Sequence, residues 1–129
     1  LNNLIIKRPD GHQQVIAYLI LKDGEGFFEF TKRVFGATER IRVLREGTHD
    51  LQHGEIMIGD TAIMFAQATD DWGVDNAGLF IYVDDTDETV KKALDAGATE
   101  IMPVSNQSYG RSGGVKDPFG NTWWITAVQ

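Results

Sequence analysis

A tetrapeptide occurs twice in this chain. Gly36-Ala37-Thr38-Glu39 returns as Gly97-Ala98-Thr99-Glu100, 61 positions later. Four matching residues carry little weight alone, so the flanks decide. Under the same shift, Tyr18–Asp23 (YLILKD) lies over Leu79–Asp84 (LFIYVD), and both are apolar β-type runs closed by aspartate. Between each run and its tetrapeptide lies a helical pattern. Phe27, Phe30, Thr31, Val34 and Phe35 follow i, i+3, i+4, i+7, i+8 spacing in the first copy. Val90, Ala93, Leu94 and Gly97 do so in the second, with Asp87 and Glu88 in the first turn. Gly36 and Gly97 stand where a helix end favours positive φ.

Further strands follow each helix. The first copy offers Arg40–Arg45, Glu55–Ile58, a Gly59-Asp60 turn and Thr61–Gln67. The second offers Glu100–Val104, a Gly/Ser-rich stretch through Gly114, then Val115–Lys116, an Asp117–Gly120 turn and Thr122–Val128. The pattern predicts an α+β fold of two βαβββ modules in one domain spanning residues 1–129. Module one runs over about 13–67, a linker over 68–76 and module two over 77–129. The alternative is a ferredoxin-like sandwich whose halves match by accident.

Composition narrows the partners. A net charge of −7 argues against nucleic acid, which needs a basic surface. The chain has no cysteine, hence no disulfide, thiolate zinc site or cysteine nucleophile. No apolar run approaches the ~20 residues of a membrane span. The start, LNNLIIKRPDG, is too short in its apolar part (Leu4 to Ile6) for a signal peptide. A cytoplasmic location without membrane partners is therefore expected. The first residue is Leu rather than Met, which leaves room for residues before it.

The segments KRPDGHQ, AYLILKDGEGFFEFTKRVFGA, HGEIMIGDTAIMF, IYVDDTDETVKKALDAGA and YGRSGGVKDPFGNTWWI together resemble the vicinal oxygen chelate superfamily, that of glyoxalase, bleomycin resistance protein and dioxygenase. Within it they are most similar to the PhnB-like group. The resemblance implies eight strands curling into an incomplete barrel around a pocket, with a helix on the outer face of each half. It also implies a homodimer, by edge contact or module exchange. In the family's metal enzymes, the first and last strands of each module supply His, Gln or Glu ligands.

Those positions fall here on Ile16, Met64, Gly78 and Trp124. None offers a hard divalent cation a suitable donor. A slip of one residue does not help, because Val15, Ala17, Ile63, Phe65, Leu79, Trp123 and Ile125 are also apolar. No metal and no other cofactor is expected.

Strand alternation then assigns faces. Ile16, Tyr18, Ile20, Ala62, Met64, Ala66, Gly78, Phe80, Tyr82, Thr122, Trp124 and Thr126 share the barrel side. Leu19, Leu21, Ile63, Phe65, Leu79, Ile81, Trp123 and Ile125 face the helices. The barrel side mixes aromatic and small residues, the composition of a ligand pocket, although a collapsed second core has the same makeup. Tyr18, Met64, Phe80, Tyr82 and Trp124 are the ligand-binding candidates. Arg111, in a YGRSGG loop that is one residue shorter than its counterpart in the group, either meets an anionic ligand or stands as a surface arginine.

His53 and Tyr109 are the acid/base candidates; His53 reads equally as a solvent-exposed strand end. The acidic linker, with Asp70, Asp71, Asp75 and Trp72, could cap a cationic ligand, meet a second chain or be a solvated turn. His49 and His53 do not share a face, and no glycine-rich phosphate loop or singled-out serine exists. Three functions stay open. The first is a metal-free binding protein that sequesters a planar or cationic compound. The others are a lyase, isomerase or dioxygenase with unusual or no metal ligands, and a dimeric interaction module without ligand.

Overall fold

The computed structural model describes residues 6–129, so most of the run Leu4–Ile6 lies outside the described residues. The chain order is β1 (Tyr18–Leu21), α1 (Gly24–Phe35), β2 (Thr38–Leu44), β3 (Leu51–Ile58), β4 (Thr61–Gln67), β5 (Gly78–Tyr82), α2 (Thr86–Asp95), β6 (Thr99–Gln107), β7 (Gly110–Lys116) and β8 (Thr122–Ala127). Two four-stranded sheets result, ordered β1-β4-β3-β2 and β5-β8-β7-β6. Each begins with a parallel pair, β1 with β4 and β5 with β8. The repeat in the sequence is thus a repeat of topology.

Both helices are specified locally. Asp23 Oδ1 accepts the Gly26 N–H at 2.9 Å, and Asp85 Oδ1 accepts that of Glu88 at 3.1 Å. Acidic residues sit in each first turn and basic ones in each last turn, which suits the helix dipole. Gly36 and Gly97 stop them at φ of 69° and 101°. The two capping aspartates are 62 positions apart, whereas the tetrapeptides are 61 apart. A strict shift of 61 therefore sets Tyr18 over Leu79, two residues on opposite faces. Leu94, expected in the buried stripe of α2, is exposed.

Three strands are longer than the sequence pattern suggested, among them β6, which runs on from Val104 to Gln107. β3 begins at Leu51, and β7 takes in Gly110–Gly114, which read as loop. Gly113 and Gly114 of β7 are packing positions rather than turn residues. A Cβ at Gly113 would stand 2.8 Å from Val104 Cγ2, and one at Gly114 would stand 2.6 Å from Trp124 Cζ3.

One core serves both modules. Leu19, Leu21, Ile63 and Phe65 of the first sheet, and Val115, Trp123 and Ile125 of the second, belong to the same buried cluster. The aromatic face of α1 joins them. Phe27 packs on Phe65 at 4.8 Å and on Phe119 at 5.9 Å, and Phe35 meets Trp123 at 4.5 Å. The turn after β7 fixes this arrangement. The buried Asp117 carboxylate accepts the N–H groups of Phe119 and Asn121, the Asn121 Nδ2 and the Trp123 Nε1, each at 2.9 Å. Trp123 is thereby buried without stranding its indole N–H.

The sheets do not close into a barrel, which corrects the expectation of one curled wall around one pocket. The cause is the shared core. Each sheet turns its helix side inward to that cluster, so its other side must face outward.

Candidate ligand-binding site

The outward sides carry the candidate residues, as alternation requires. Face one denotes the outer side of the first sheet and face two that of the second. On face two, Trp124 pairs in register with Phe80 on β5 and with Gly114 on β7. Trp123 is 1% exposed and Trp124 36%. The indole of Trp124 lies over Gly114, where any larger residue would collide with it. Phe80 meets Tyr82 edge-on at 5.2 Å and Tyr109 at 6.2 Å. Phe80 is 51% exposed and Tyr82 66%, and Ile101 and Tyr109 are exposed too. Large aromatics left bare in one contiguous group mark an interaction surface. Gly78, opposite Thr122, adds open space, since a Cβ there would meet nothing within 4 Å.

Face one is built on the same rows but filled differently. Tyr18 pairs with Met64, and Met64 with Glu55. Tyr18 Oη and His53 Nδ1 are 3.0 Å apart, with their rings tilted at 32°. Glu55 is fully buried, and its Oε2 meets His12 Nε2 at 2.7 Å and Arg40 Nε at 3.3 Å. Its Oε1 has no hydrogen-bond partner. His12 arrives on the N-terminal segment, which Gln13 docks like an added strand. The Gln13 amide donates to the Ala62 carbonyl at 2.8 Å and accepts the Ala62 N–H at 3.2 Å.

A cavity of about 440 Å³ opens at the other end of face one, lined by Tyr18, Ile20, Arg45, Gln52, Trp72 and Asp75 among others. The linker forms its wall. Asp75 exchanges both backbone hydrogen bonds with Ile20, at 3.1 and 2.9 Å, and so extends the sheet past β1. A crease of about 620 Å³ runs along β5 between the modules, touching Val15, Thr61, Phe80 and Tyr82.

Arg111 belongs elsewhere. It sits in β7 on the helix side and donates to both oxygens of Asp87 at 2.6 and 3.0 Å, and to Asn106 Oδ1 at 2.9 Å. Its hydrogen bonds hold the Asp87 carboxyl below its usual range, and Asp87 in turn raises the guanidinium. Its hydrogen bonds lie on the face opposite Trp124, where Arg111 stands as a partly exposed arginine paired with Asp87. His53 and Tyr109 also separate: His53 stands on face one beside Tyr18, Tyr109 on face two beside Phe80.

The family's metal positions do not suit a metal here. Met64 lies on face one, Gly78 and Trp124 on face two, and Ile16 precedes β1; none of these side chains supplies a carboxylate or imidazole. Among the described residues no three His, Cys, Asp or Glu side chains converge. Sequence reasoning missed Glu55, His12 and Arg45. For Glu55 a signal existed: alternation from His53 sets it on the outer face, between His53 and Met57. His12 and Arg45 gave none.

Two alternating sheets with aromatic outer faces, each fed by a parallel strand pair and backed by one helix, define a paired βαβββ protein. Residues 12–125 match the sequence profile of the Glyoxalase/Bleomycin resistance protein/Dioxygenase superfamily, and the chain belongs to that superfamily. A search of curated proteins found no match. Among solved structures it is similar to TioX from Micromonospora sp. ML1, with 22% identity and a TM-score of 0.73, covering 91% of this chain and 99% of that one. The PhnB protein from Bacillus cereus shares 12% identity at a TM-score of 0.71, over 90% of this chain and all (100%) of that chain. TnmS3, an antibiotic binding protein from Streptomyces sp. CB03234, shares 18% identity at 0.69, over 92% and 100%. At these identities the likeness concerns the fold. No helix among the described residues is long and apolar enough to cross a membrane.

Proposed function

We propose that this chain is a small-molecule-binding protein that works without the family metal, and that its site is completed by a second copy. One observation carries the reading: face one and face two bury their backs in a single core, so within one chain they point apart. Only another copy brings the Tyr18–Met64 row opposite the Phe80–Trp124 row. A two-fold dimer does this twice, because each chain offers both faces. The bare aromatic group on face two then gains a partner, and a flat ligand between the faces finds Tyr18 on one side and Trp124 on the other. TnmS3, described as antibiotic binding, is a relative in fold with that kind of role.

Sedimentation equilibrium together with calorimetry against planar aromatic compounds tests this. The expected result is a dimer that binds such a compound with two sites per dimer. Replacing Tyr82 with Asp is expected to yield a folded monomer that has lost binding, since a buried unpaired charge opposes association. A monomeric wild type, or a monomeric variant that binds equally well, overturns the composite site.

A further inference from the structure

The cavity beneath the linker is lined by a charge that no ion pair among the described residues neutralises. Arg45 directly follows β2; its backbone N–H donates to the Asp50 carbonyl at 2.8 Å, and its Nη2 to the Gln67 carbonyl at 2.9 Å. Its Nε–H is buried and has no partner. Arg40, Arg42 and Arg111 each meet a carboxylate, whereas no ion pair among the described residues involves Arg45. A guanidinium stays charged at every accessible pH, and a buried N–H left unpaired is costly. The side chain lines the 440 Å³ cavity together with Tyr18 and Trp72, and Trp72 is 70% exposed on the linker. Of the linker aspartates, only Asp75 lines the same space, and it makes no ion pair with Arg45.

We propose that this cavity binds a flat aromatic monoanion, a carboxylate that pairs with the Arg45 guanidinium while its ring lies against Tyr18 and Trp72. This deepens the binding role proposed above and rests on it, the cavity being the face-one half of that site. A carboxylate fits better than a dianion such as a phosphate monoester. One guanidinium lines the cavity, and the Asp75 carboxylate on the same wall disfavours a second negative charge. It also fits better than a cation, which would stand beside an unneutralised arginine. The acidic linker therefore does not make this a site for cationic compounds.

The test uses three matched probes on the full chain: 2-naphthoate, 2-naphthamide and 2-naphthylmethylammonium. Calorimetry gives the affinities, and an arginine-selective proton–nitrogen spectrum follows the Arg45 Nε–H directly. The expected order places naphthoate about tenfold or more ahead of the other two, as a charge-assisted hydrogen bond would. The Arg45 signal moves with naphthoate only. Arg45→Gln brings the three affinities within about twofold, and Arg45→Lys keeps part of the preference. Should Arg45→Gln fail to fold, the wild-type signal and affinity order decide. Equal or tighter binding of the ammonium probe, a preference surviving Arg45→Gln, or an unmoved Arg45 signal overturns the assignment. If the amide or ammonium binds in naphthoate's place, the charge assignment falls and the small-molecule reading stands. If no probe binds, both fall.

Discussion

On face one, Glu55, Met64 and Tyr18 form a row across three strands, and on face two the equivalent row is Gly114, Trp124 and Phe80. The backbones correspond strand for strand, yet the middle strand pair is filled in opposite ways. In the first module a buried carboxylate, held by His12 and Arg40, occupies the space above the sheet. In the second a glycine leaves that space empty, and an indole lies down in it. Strand order and helix docking are the same in both modules, because one core depends on both. The outer faces answer to no core and were free to become unlike. One now offers charge and hydrogen bonds, the other bare aromatic area, the complementarity on which the proposed composite site rests.

The strongest way to sharpen this contrast uses adjacent residues of β8. Trp123→Ala removes the contact between α1 and the second sheet, and a loss of about 3–5 kcal/mol in chemical denaturation is expected. Trp124→Ala changes an outward side chain, so unfolding of the dissociated chain should move by less than about 1 kcal/mol. Its effect is expected in dimer dissociation and ligand affinity instead. Equal destabilisation by both would mean that the outer face is a second core.

Next in size are the row partners. Glu55→Ala removes the buried carboxylate that His12 and the partly exposed Arg40 share, and should cost about 2 kcal/mol in thermal or denaturant unfolding. Gly114→Ala should cost about 1 kcal/mol or less, since the half-exposed indole can swing outward, while shifting tryptophan emission and weakening dimerisation. A Gly114→Ala chain with unaltered emission would show that the indole does not depend on the glycine.

The smallest effect belongs to the Asp87–Arg111 pair on the helix side. The Asp87 carboxyl is lowered in the folded chain, so its contribution is present above the ordinary aspartate value of about 3.9 and disappears as pH falls through the lowered one. The raised Arg111 contributes throughout that range, being charged in both states. Asp87→Asn should flatten the acid limb of a Tm-against-pH curve slightly, below pH about 4, and leave ligand binding unchanged. A change in binding would place Arg111 at the site.

Much of this frame was legible in the residues alone. β4 falls on Thr61–Gln67 as the pattern of the sequence required, and the opposite burial of Trp123 and Trp124 follows from the two-residue period of a strand. β7 was not legible, because Gly113 and Gly114 read as loop chemistry when their role is to admit Val104 and Trp124. The parting of the two faces was also hidden. It depends on α1 presenting Phe27 and Phe35 to the other module, a docking that periodicity within α1 does not reveal. His12 and Glu55 lie 43 positions apart and meet because the Gln13 side chain pairs with Ala62 and Arg40 donates to the Asp10 carbonyl, which together dock the N-terminal segment.

The common core has a bearing on ancestry. Cut at the linker, either half would bare Trp123 or the phenylalanines that cover it, so neither half is equipped to fold by itself. A half-length forerunner of such a chain would have had to be a self-associating peptide from the outset, two copies sharing one interior. The present protein has that arrangement within a single polypeptide. The expected relic is complementation: fragments 1–70 and 71–129, each unfolded alone, regaining structure when mixed.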